Sequence, residues 1–156
     1  MTPTVIVAVS SQVPDLVSSA SDLFAEDAGH HDPLTDITWP QHHGTGYYAD
    51  LVDRDDALCL LARTGGTTAG HLIGRVKQNN PLRPAAITAT LESIRVDTAH
   101  RRRGTANALI DHFFDWARRQ NANEAFVTAY AANSAGRSLY RGNGFEEFET
   151  KLRRAL

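Results

Sequence analysis

The chain has 156 residues, 42% of them hydrophobic, a formal net charge of -2 and a single cysteine. That length suits one globular domain with its own core; the charge argues against a dedicated nucleic-acid binder, which would carry a strongly basic face. A lone Cys59 rules out an internal disulfide and fits a reducing cytoplasm, and apolar stretches far short of the ~20 residues of a membrane-spanning helix argue against a membrane protein.

Val5, Val7 and Val9 alternate with smaller residues and predict a first strand. Pro14 and Asp15 then open a helix, with Leu16, Val17, Ala20, Leu23 and Phe24 at helical spacing and Gly29 closing it. Residues 30–46 mix prolines, glycines, aromatics and acids, and read as a structured loop leading into a short helix with Tyr47, Tyr48, Leu51 and Val52. The continuous apolar run at 57–62 predicts a strand covered on both faces, and the Gly65-Gly66 turn returns the chain through 70–77 as a hairpin.

Asn79, Asn80, Pro81 and Pro84 break the pattern before a further strand over 86–96. From Gly104 the period changes: Ala106, Leu109, Ile110, Phe113, Trp116 and Ala117 form one apolar stripe opposite Asn107, Asp111, Asp115, Arg118 and Arg119, the signature of an amphipathic helix. A strand over 124–130, a short helix over 133–141 ended by Gly142 and Gly144, and a final strand over 145–152 complete the order. The strand-helix-strand unit between 86 and 130 predicts a parallel pair joined by a right-handed crossover, hence a mixed α/β fold in one domain spanning residues 1–156.

The segment Arg101-Arg102-Arg103-Gly104-Thr105-Ala106 falls between a strand and the start of the long helix. Unpaired amides and the positive dipole end make a helix start a natural cradle for a pyrophosphate, and Gly104 and Ala106 keep the approach open. This hexapeptide resembles the (Gln/Arg)-x-x-Gly-x-(Gly/Ala) signature of the GCN5-related N-acetyltransferases, the GNAT superfamily. Downstream, Asn133, Leu139, Tyr140, Gly144 and Phe145 resemble the family's second signature in register, with Gly136 at a small position usually held by alanine.

The resemblance implies a mostly antiparallel sheet with a parallel, splayed strand pair in the middle and helices on both faces. It further implies acetyl-CoA as co-substrate. Backbone groups of Ile94 and Val96 would hold the pantetheine arm, and amides from Arg102 to Asn107 the pyrophosphate, with Asn133 and Tyr140 also at the coenzyme. The side chains of Arg101, Arg102 and Arg103 either reach the phosphates or are solvated. A neutral amine would attack the thioester, the Ile94 amide would serve the oxyanion, and Tyr140 would donate to the departing sulfur. Glu92 is the expected base, acting through a water; its alternative is to pair with an arginine or merely to attract the cation.

Glu26, His30, Asp32 and Trp39 are expected to wall the acceptor pocket, with Tyr130 across the gap; the alternative is surface acids and a core tryptophan. The pairs His30-His31 and His42-His43 lack the ligand spacing of a zinc site, so no metal is expected. Cys59, between leucines, reads as core. The leading function is acetyl transfer to a small-molecule amine. Protein or peptide acetylation and non-catalytic acyl-CoA sensing are the alternatives, and a homodimer remains open.

Overall fold

The computed structural model describes residues 2–156. Five strands form one sheet in chain order: β1 (Thr4–Val7), β2 (Ala57–Thr64), β3 (Thr67–Lys77), β4 (Thr88–Val96) and β5 (Glu124–Val127). Every neighbouring pair is antiparallel except β4 and β5. Helices α1 (Val13–Glu26), α2 (Ala28–His31) and α3 (Trp39–Val52) precede β2, α4 (Thr105–Arg119) forms the crossover between β4 and β5, and α5 (Ser134–Gly142) follows β5.

Each face of the sheet buries its own core. On one, Leu109, Ile110, Phe113 and Trp116 of α4 pack on Leu58, Leu60, Leu72, Ala89 and Leu91. On the other, Leu16 and Ala20 of α1 and Tyr48 and Leu51 of α3 pack on Cys59, Leu61 and Ile73. The run at 57–62 is therefore covered on both sides, as its unbroken hydrophobicity requires. Cys59 lies in the core, and burial pushes its thiol up to about 12.

One irregularity positions everything that follows. In the β3–β4 ladder Ile73 faces Ser93 and Gly74 faces Leu91, so Glu92 is an extra residue, a β-bulge. The β4–β5 ladder also stops there, its last pair being Leu91 with Val127. The bulge changes which side chains face α4: Ala89 and Leu91 before it, Ile94 and Val96 after it. Beyond Leu91 no strand among the described residues pairs with this side of β4, which leaves a gap along that edge.

Two expectations are corrected. Residues 30–46 are largely helical, with α2 and most of α3 in place of a loop. Pro40, Gly44, Tyr48 and Leu51 form the buried side of α3, and Gly44 lets the helix approach Val17. The final strand over 145–152 is absent. Its apolar residues Phe145, Phe148 and Leu152 are spaced three and four apart, without the alternation a half-buried strand needs. Phe148 instead stacks its ring on Phe126 at 5.1 Å, with Arg83 over both rings. The parallel pair consequently ends the sheet instead of lying in its middle.

Candidate active site

The gap is built from β4 outward. The amide of Asp97 donates to Ala69 on β3 at 2.7 Å, so strand alternation turns the backbone groups of Ile94 and Val96 away from β3, toward the gap. The carbonyl of Val96 accepts from the Nε of Arg101 at 2.9 Å. The other end of that guanidinium donates to Glu26 at 2.7 Å, and Arg95 donates to the same carboxylate. Burial works against the charge on Glu26, but the two arginines outweigh it and hold the carboxyl below its usual range. Arg101 and Glu26 are thereby spent on fixing the loop to the end of α1. Of the three arginines expected at the phosphates, Arg102 and Arg103 are exposed and free of this network.

The loop ends in Gly104 at φ +77, where a Cβ would meet nothing within 4 Å. The left-handed conformation favours glycine, and the open space in front of it exposes the first amides of α4. Thr105 is buried with its hydroxyl unpartnered, Ala106 is small, and Asn107 accepts from Asn143 at 2.9 Å, joining α4 to α5. A strand edge not covered by β5, its Val96 carbonyl held by Arg101, running into the N-terminus of α4 fits a pantetheine-pyrophosphate ligand. Asn133 caps α5, accepting from the Gly136 amide at 3.0 Å.

At the head of the gap Glu92 accepts from the hydroxyl of Tyr47 at 2.6 Å, and Arg75 lies 4.0 Å from the same carboxylate oxygen. The pairing with an arginine left open by the sequence is thus realised. Tyr47 extends a stripe along α3 with Trp39 and His43, four residues apart; Trp39 meets Tyr47 edge-on at 5.3 Å and stacks on Phe24 at 6.0 Å. Tyr47 and Arg75 were not among the residues the sequence singled out. The spacing of 39, 43 and 47 would have shown the aromatic face had α3 been recognised as one helix.

Tyr130 lies between β5 and α5, and Tyr140 on α5 packs against the core under α4 and edge-on to Phe145. The ring of His31 lies 5.0 Å from Tyr130, and its Nε2 is 3.8 Å from Asp27. Burial, and after it the charge of Asp27, pushes the Tyr140 hydroxyl up to about 12. Among the expected pocket acids, Asp32 accepts from Thr35 at 2.7 Å, from the Leu34 amide and from Arg153. His30 is exposed beside His31.

The family model described as the acetyltransferase (GNAT) family matches residues 22–145. The chain belongs to that family. A ribosomal protein bS18 alanine N-acetyltransferase of Escherichia coli K12 is 32% identical to this GNAT chain over 83 residues, covering 49% of it and 56% of the relative. The chain thus spans little more than half the length of the curated relative it matches. Among solved structures, a predicted acetyltransferase from Clostridium acetobutylicum with acetyl-CoA superposes with a TM-score of 0.80 at 15% identity, covering 98% of this chain and 96% of the other. An aminoglycoside N-acetyltransferase in complex with CoA gives 0.75 at 16% identity, covering 98% of each. These likenesses establish the GNAT fold. Among the described residues no helix is long and apolar enough to cross a membrane.

Proposed function

We propose that this GNAT chain transfers an acetyl group from acetyl-CoA to the amine of a small molecule by direct attack. The observation that carries the reading is the gap itself, a β4 edge freed by the Glu92 bulge and leading to the open N-terminus of α4. Acetyl-CoA supplies the electrophilic thioester carbon. Ile94 offers its amide to the carbonyl oxygen, and the amides that follow Gly104 hold the pyrophosphate.

Tyr140 stays protonated at neutral pH and donates a hydrogen bond to the departing sulfur. A thiol with an ordinary pKa of about 8.5 is a weaker base than a phenolate at about 12, so Tyr140 stabilises the thiolate without surrendering its proton fully. Glu92, oriented by Tyr47 and compensated by Arg75, takes the amine's proton through a water. Trp39, Tyr130 and Asp32 line the acceptor side.

A panel assay following free thiol release from acetyl-CoA, with polyamines, aminoglycosides, amino acids and peptides as acceptors, tests the proposal. Turnover only on peptides would favour a second reading, N-acetylation of a protein terminus, which the Escherichia coli relative's substrate supports. Coenzyme binding with no turnover on any amine would indicate a sensor.

A further inference from the structure

The segment that follows α5 leaves its backbone unpaired. Residues 146–156 are exposed throughout, and among the described residues none of their backbone groups bonds to another backbone group. Phe148 rests one face on Phe126 of the edge strand β5, beside a groove lined by Phe114, Phe126 and Phe145, yet stays 68% exposed. Leu152 is 89% exposed. Unpaired backbone with bare apolar side chains is what a strand edge offers to another chain.

The order of charges identifies that other chain. From 146 the sequence reads Glu-Glu-Phe-Glu-Thr-Lys-Leu-Arg-Arg, so each acid before Thr150 is matched by a base at the same distance after it, and Phe148 by Leu152. The stretch holds no Gly, Pro, Asn or Asp to turn on and is not folded into a hairpin, so the match is unused within one chain. We infer that residues 146–154 pair antiparallel with the same residues of a second copy, about a two-fold axis at Thr150, and so join two chains as a homodimer. Glu149 then faces the partner's Lys151, Glu146 the partner's Arg154, and Phe148 the partner's Leu152, each pair occurring twice. Parallel pairing would set like charges against like.

The charges concerned are available. Glu146, Glu149, Lys151 and Arg154 have no ion-pair partner among the described residues, while Glu147 is held by Arg137 and Arg141. Arg153 reaches Asp32 at 3.4 Å, an exposed contact of little energy that the new pairing can exchange. Phe148, Thr150 and Leu152 share one side of an extended segment, the side that Phe148 already turns to Phe126. The association is independent of the proposed acetyl transfer.

Sedimentation equilibrium of the full chain should show a dimer that weakens as salt is raised. Glu149→Lys and Lys151→Glu should each raise the dissociation constant about tenfold, since each sets like charges opposite at two symmetric positions. An equimolar mixture of the two variants should dimerise as tightly as the native chain, because unlike charges then face each other between the two different chains. Misfolding of either variant could not give that recovery. Thr150→Cys, at the axis, should cross-link two chains on mild oxidation, whereas Glu146→Cys, set opposite 154 and far from its own copy, should not. A native chain that stays monomeric at millimolar concentration, single variants that associate like the native chain, or a mixture no tighter than its components would overturn the pairing. Cross-linking at 146 and not at 150 would overturn its register.

Discussion

The hydroxyl of Tyr47 donates to Glu92 at 2.6 Å, fastening α3 to the one bulged residue of β4. Burial and then this bond push Tyr47 up to about 12, so the contact persists throughout the neutral range. Tyr47→Phe should lower kcat several-fold while leaving the KM for acetyl-CoA in place, since the edge proposed for the coenzyme lies further along β4. Glu92→Gln should flatten the acid limb of the rate profile. Steady-state kinetics across pH checks both, and an unaltered limb in the Gln variant would remove Glu92 as the base.

Tyr140→Phe should reduce kcat by about a hundredfold, the scale of losing one hydrogen-bond donor aimed at developing charge, with a much smaller change in acetyl-CoA affinity. Because its hydroxyl is pushed to about 12, the native profile should lack the alkaline limb that an ordinary phenol would give at about 10. A limb near that value that disappears in the Phe variant would show that Tyr140 is not held up as described.

Glu26 anchors Arg101, and with it the loop proposed to meet the coenzyme. Glu26→Gln should leave Arg101 poorly anchored, loosen the loop before Gly104, and weaken CoA binding about fivefold for a contact of roughly 1 kcal/mol. Calorimetry with CoA measures this directly. Unchanged affinity would mean that Arg101 keeps the loop in place through the Val96 carbonyl alone.

His71 makes stability depend on acidity. It is fully buried, bridging Ser19 at 2.5 Å and Ser93 at 3.1 Å, and burial, then Arg95, lower it from 6.5 to about 3. Between those values the unfolded chain binds a proton that the folded chain refuses, so stability falls as pH drops through that window. The slope from this group approaches about 1.4 kcal/mol per pH unit and vanishes above the upper value. Urea midpoints at pH 7 and pH 5 for the native chain and His71→Gln should differ in slope, with the variant less acid-sensitive. Parallel shifts would place the acid sensitivity elsewhere.

Much of the fold was legible because periodicity reports burial. The stripe from Leu109 to Ala117 announces α4, and the run from Leu58 to Ala62 announces a strand with two covered faces. α3 was hidden because its buried side includes Pro40 and Gly44, residues that mark loops in a linear reading yet pack well where two helices come close. The loop at 101–106 and the helix it opens were legible because their motif is local in sequence. The surroundings of Glu92 were not: Tyr47 and Arg75 acquire their meaning from that residue, 45 and 17 positions away.

The bulge at Glu92 also shapes the energetics of the fold. One residue of β4 stands outside the β3 ladder, and the pairing with β5 ends beside it after four residue pairs. The far half of β4 therefore draws its hold on the molecule from β3 and from the helices packed on the two faces, a division of labour that makes those contacts the ones to disturb if this edge is to be loosened.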